Sequence, residues 1–175
     1  MLANIRLALN EHRAPFTPTL WHVAPDNTNS TVKQCWFPGG HASVGGGDTF
    51  HNLSDITLAW MVQQLTTYTD LEYDEKYLLD SRKTFGPNKM EFPWGCAPST
   101  DSQMGFYKFS GSRNRTPGKY LSPDEIERGF KTNETIHRCV RMRAEKLGGK
   151  WPHPSIEGLK EDHFGPIEKK LSWIR

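Results

Sequence analysis

An α/β fold follows from three features of this sequence: a short apolar run, a loop holding five glycines, and an amphipathic helix close behind it. The run is Val32-Lys33-Gln34-Cys35-Trp36-Phe37, the loop spans Pro38 to Gly47 with glycines at 39, 40, 45, 46 and 47, and the helix runs from about Ile56 to Thr67. Strand, glycine-rich loop and helix in that order form the grammar of a layered α/β sheet. Behind it the chain reads as a mostly helical and loop-rich extension.

The first element is expected to be a helix from Leu2 to about Glu11, because Leu2, Ile5, Ala8 and Leu9 share one helical face ahead of Pro15. A chain that starts inside an uncapped helix reads as cut from something longer. Pro15, Pro18 and Pro25 then mark a loop, with an extended piece at Thr19–Val23 and a polar turn at Asp26–Thr31. After the strand and its glycine loop, Ser54-Asp55 is expected to cap the helix. Ile56, Ala59, Trp60 and Leu65 give that helix an apolar face, and Leu58, Met61 and Val62 widen it enough for burial on a sheet.

Further on, Asp74–Lys83 reads as helix and the stretch to Gly118 as loops rich in Gly, Pro and aromatic residues. Ser122-Pro123-Asp124-Glu125 has the form of a capping box with proline at the first helical position, so a short helix to about Phe130 follows. Ile136, Val140, Arg143 and Leu147 have helical spacing, closed by Gly148-Gly149. The tail, with Pro152, Pro154 and Pro166, is expected to wrap the surface.

Composition bounds the function without choosing it. The 175 residues fit one domain of ordinary size, and six Trp with nine Phe oppose wholesale disorder despite 15 Gly and 12 Pro. Residues 1–100 carry 7 Lys/Arg against 10 Asp/Glu, and residues 101–175 carry 15 against 10, so the second part is the basic one. Its charges are dispersed and suit a solvated face, and no nucleic-acid partner is expected. Cys35, Cys96 and Cys139 lack C-x-x-C spacing, which argues against zinc or a disulfide framework and favours a reducing, cytoplasmic compartment. Neither a signal peptide nor a transmembrane segment is visible. Gly40 to Gly45 has phosphate-loop spacing, but Gly46-Gly47 stand where Lys and Ser/Thr are needed, and no cofactor is expected.

His41 stands just past a strand end, where reactive groups collect in open α/β sheets. Spacing fits two readings equally: a general base in a loop that lets a ligand approach, or a glycine turn in which His41 bonds a carbonyl. Ser43, in His41-x-Ser43-x-Gly45, is read as shaping the loop, and Asp55 as a helix N-terminal residue. Asp48 has the weaker claim to partner His41. His137 is read as a structural histidine, and Arg113 and Arg115, though suited to a phosphate, as solvated.

The segment Trp36-Phe37-Pro38-Gly39-Gly40-His41-Ala42-Ser43-Val44-Gly45-Gly46-Gly47, followed by Leu53-Ser54-Asp55-Ile56-Thr57-Leu58-Ala59-Trp60-Met61, resembles the type VI secretion phospholipase effector-like catalytic domain. The family signature is W-F-P-G-x-H-x-x-V-G-G-G and then D-I-x-L-x-W-M. Leu7 to Phe16 resembles the segment ahead of the signature, and Arg113–Gly118 and Thr132–His137 resemble stretches of its fungal-type members. This chain departs from the family at Gly40, Ala42 and Ser43.

The resemblance implies the C-terminal part of an α/β-hydrolase-like domain over residues 1–66 and an extension over 67–175, with His41 as the base of a Ser-Asp-His triad. The implied substrate is an ester, with phospholipid esters among the candidates. In that family the serine on its G-x-S-x-G elbow and the acid precede the histidine, and no serine here has such an elbow. The expectation is therefore an incomplete hydrolase that is inactive and poorly soluble alone; the rival is a binding or structural module derived from the same family.

Overall fold

The computed structural model describes residues 2–78, 95–99, 111–147, 156 and 158–172. Four parallel strands, β1 (Leu2–Ala8), β2 (Thr31–Phe37), β3 (Glu134–His137) and β4 (Lys160–Asp162), form one sheet in the order β1-β2-β3-β4. The register pairs Leu7 with Trp36, Trp36 with Ile136 and Ile136 with Glu161. A parallel sheet with helices is an α/β architecture, as the strand, loop and helix pattern predicts.

The first element is a strand and not the expected helix. Ala3, Leu7, Leu9 and Glu11 are buried, Ile5 is partly so, and Arg6 is exposed, which is the two-residue period of a strand. Leu2, Ile5, Ala8 and Leu9 satisfy a helical template as well, and pairing with β2 along seven positions decides between the two. β2 agrees with its expected bounds to within a residue. It is buried from Gln34 to Phe37, as a strand inside a parallel sheet should be.

The two faces of β2 are covered differently. On one, Phe37 meets Trp60 of helix α2 (Asn52–Tyr68) edge to face at 5.6 Å, and Ile56 lies beside Cys139 and Met142 of helix α4 (Arg138–Leu147) around Gly95. On the other, Trp36 stacks on Tyr120 at 6.0 Å and Gln34 binds loops: its Oε1 accepts the Trp21 N–H (2.7 Å) and its Nε2 donates to the carbonyls of Trp21 (2.9 Å) and Thr132. The Trp36 indole donates to Glu134 (2.9 Å), which also accepts from Gly118 N and the Thr132 hydroxyl. Each of these buried polar groups thus has its hydrogen bonds.

Helix α2 begins earlier than its apolar pattern indicates. Its N-cap is His51, and Ser54 is not the cap; it turns its hydroxyl back to the His51 carbonyl at 2.8 Å. Helix α3 (Pro123–Glu127) has the expected capping box, with Ser122 Oγ accepting from Glu125 N and Glu125 accepting from Ser122 N. It stops before Phe130.

Beyond residue 66, where helices and loops are expected, the chain also supplies β3 and β4. Ile136 belongs to β3, because that strand runs straight into α4 and the spacing of 136, 140, 143 and 147 straddles the junction. The tail does more than wrap the surface: β4 completes the sheet, and helix α5 (Pro166–Ser172) packs on α2, with Ile167 N donating to Gln63 at 2.9 Å. Residues 75–78 are helical, as expected. Asp74 precedes this helix and accepts the Tyr77 N–H at 2.9 Å, while residues 79–83 and 148–149 lie outside the described residues.

Candidate active site

Glycine geometry at the end of β2 places His41. Gly39 has φ +103°, and a Cβ there would lie 2.8 Å from the Ser43 Cβ and 3.0 Å from Leu53, so the chain turns sharply only because no side chain intervenes. His41 then opens a short helix, α1 (His41–Gly45), closed by Gly46 in a left-handed cap at φ +99°. The glycine-rich segment is therefore a turn, one helical turn and a second turn. His41 is exposed at its start.

The end of β1 grips this turn. Asn10 donates from its backbone to the Gly39 carbonyl (3.0 Å) and accepts the Gly39 N–H on Oδ1 (2.8 Å). Glu11, 2 % exposed, accepts the His41 N–H on Oε2 at 3.2 Å. The same carboxylate accepts the Arg13 backbone N–H (3.0 Å), Nε (2.9 Å) and Nη2 (2.8 Å). Burial pushes the Glu11 carboxyl up, but the hydrogen bonds from the Arg13 side chain and from the backbone of Arg13 and His41 outweigh it and hold the pKa at about 2. Glu11 is thus an ionised anchor for the backbone of the histidine turn.

The imidazole has a different surrounding. Its ring lies 5.4 Å from the Phe16 ring, and the Arg13 guanidinium sits 3.9 Å from the centroid of that same ring. Among the described residues the His41 ring has no hydrogen-bond partner. It lines a cavity of about 420 Å³ together with residues 5–8 of β1, Glu11, residues 16–19, Val44, Gly45 and Arg115. This cavity runs along the sheet edge formed by β1 and reaches the carboxyl ends of β1 and β2.

The other candidate residues separate by their contacts. Ser43 is buried and its hydroxyl donates to Asp48 Oδ2 at 2.7 Å, so both shape the turn. Asp55 lies in the first turn of α2. His137 is fully buried and has both ring nitrogens engaged, Nδ1 accepting from Cys139 N at 3.3 Å and Nε2 meeting Glu168 Oε1 at 2.8 Å. Because Nδ1 accepts, the proton is on Nε2 and is donated to the glutamate.

Arg113 is exposed, as expected, but Arg115 is not solvated: it is 2 % exposed and donates from Nη2 to the Phe16 carbonyl at 2.5 Å. Local sequence carries no sign of this, since the two groups are 99 residues apart. Glu11 was open to discovery, because reading residues 2–8 as a strand places Asn10-Glu11 at the carboxyl end beside the histidine turn.

Among the described residues there is no cluster of three or more His, Cys, Asp or Glu suited to a metal ion, and no helix is long and apolar enough to cross a membrane. No curated protein and no solved structure matches the chain. Residues 3–64, which carry most of β1, the Asn10-Glu11 grip, β2, the His41 turn and most of α2, match the family described as T6SS, Phospholipase effector Tle1-like, catalytic domain.

Proposed function

We propose that this chain carries the general base, His41, of a serine-dependent ester hydrolase acting on lipid-like esters, and that it is inactive by itself. The observation that carries the reading is the position of the imidazole: exposed, anchored through its own backbone, and on the wall of the cavity within the matched segment. A base must reach the proton it takes, and a ring free of hydrogen bonds to the described residues can turn toward a nucleophile. In this reading residues 1–66 form the C-terminal part of an α/β-hydrolase-like catalytic domain, and residues 67–175 are an extension that adds strands to its sheet.

Inactivity alone follows from the nucleophile. The sequence holds no G-x-S-x-G, and Ser43, the serine nearest His41 in sequence, is committed to Asp48. An imidazole without an activated hydroxyl gives little beyond background general-base catalysis. The rival reading, a non-catalytic binding module, draws on one observation: among the described residues no carboxylate orients the His41 ring, as a triad acid would.

Turnover of p-nitrophenyl esters and phospholipid vesicles separates the two. The 175-residue chain should show none, and a chain extended by the residues encoded in frame before Met1, where these contain G-x-S-x-G, should show turnover that His41→Ala lowers by ~10³-fold or more. Turnover by the 175-residue chain that survives His41→Ala overturns the reading, and an inactive extended chain favours the binding module.

A further inference from the structure

We infer that the cavity beside His41 is an oxyanion site built on Arg115, one that takes a phosphate or carboxylate group attached to an apolar body. The inference deepens the reading of His41 by naming the polar end of the substrate. It stands on the surroundings of Arg115 and is measured without turnover, so the two can fail separately.

Arg115 is a buried cation whose fork is only partly used. Its Nη2 donates to the Phe16 carbonyl, while Nη1 is buried with no hydrogen-bond partner among the described residues. A guanidinium carries five N–H donors and is always charged, so removing it from water without an anion is costly. Burial accordingly pushes its pKa down, with Tyr120 and Glu11 pulling the other way only in part and the Arg113 charge adding slightly to the downward push.

The nearby carboxylate does not fill that role. Glu11 already accepts four N–H groups, three from Arg13 and one from His41, and pairs with Arg13 as an ion pair at 2.8 Å. Counting charges on the cavity wall, Glu11 is matched by Arg13, while Arg115 and the exposed Arg6 remain in surplus. An anion is the ligand that restores balance. Its body must suit the remaining wall, where Ile5, Val44, Phe16 and Pro18 supply apolar surface, and about 420 Å³ is far more room than a bare phosphate needs.

Isothermal titration calorimetry on the full chain tests this with four probes: n-octyl phosphate and octanoate below their micelle concentrations, n-octyl glucoside as the neutral amphiphile, and inorganic phosphate. Octyl phosphate and octanoate should bind at least ~10-fold tighter than the glucoside, the value of a hydrogen bond to a charged group. Arg115→Met should abolish this preference. Since loss of the Phe16 contact can impair folding, Arg115→Lys is the companion variant: it keeps charge, loses the fork, and should weaken octyl phosphate roughly 10-fold with an unchanged circular dichroism spectrum.

Arg113→Ala, at an exposed neighbour, should leave binding unchanged. Equal affinity for the glucoside, undiminished binding in a folded Arg115→Lys, or an equal loss in Arg113→Ala overturns the proposal. Inorganic phosphate binding as tightly as octyl phosphate overturns the apolar body and assigns the site to the free ion.

Discussion

His41 and His137 stand at the carboxyl ends of neighbouring parallel strands and have opposite fates. His137 is the last residue of β3 and faces inward, with one ring nitrogen accepting from Cys139 and the other donating to Glu168. Phe37 stacks on its ring at 4.7 Å and Phe164 meets it edge-on at 5.0 Å. His41 is set apart from β2 by a three-residue turn that brings its backbone to Glu11 and leaves its ring at a cavity. The lesson is that a strand end does not by itself make a histidine reactive. What frees His41 is the turn at Gly39, which spends the carboxylate on the peptide N–H instead of the imidazole.

Removing the buried histidine is expected to have the largest effect. His137→Ala strands the Glu168 carboxylate, 1 % exposed, without its ring partner, and should cost about 3–5 kcal/mol in urea unfolding, whereas His41→Ala, at an exposed position, should stay within about 0.5 kcal/mol. Equal losses would show that the two histidines do not differ as described.

Glu11→Gln is expected next. With a folded pKa of about 2 against an ordinary value of 4.5, ionised Glu11 contributes stability that is complete above pH 4.5 and lost as pH falls toward 2. The variant should lose roughly 2–3 kcal/mol at neutral pH and show a shallower fall in stability through that acid window. A variant whose acid limb matches the native one contradicts the anchor. Gly39→Ala, which combines positive φ with a contact on Ser43, should cost about 1–3 kcal/mol in the same assay and displace the His41 turn.

Much of the local structure was legible because its signals are local. β2, the burial of Ile56, Ala59 and Trp60 on α2 and the Ser122 capping box each rest on residues a few positions apart, and the structure keeps them; Leu58, expected to widen that face, is 43 % exposed because it points away from the sheet side. The misreadings arise where a distant partner decides. Residues 2–8 fit both a helical and a strand period until β2 is beside them, and Ile136 fits the helical spacing of α4 until its pairing with Trp36 is known. His41 was legible as a candidate from its position after β2. Glu11 becomes legible only once residues 2–8 are read as a strand that ends beside the histidine turn, and the burial of Arg115 has no local signal at all, since its partner lies 99 positions away.

His41 is the histidine left accessible at the cavity, and His137 is the one locked in the core. Diethyl pyrocarbonate labelling read by peptide mass spectrometry tests this contrast on the native chain. His41 should react promptly and be protected by octyl phosphate, while His137 should react at least ~100-fold more slowly, because its ring is exposed only when the fold opens. Labelling of His137 at the rate of His41, or a His41 that resists reagent in the folded chain, would contradict the account.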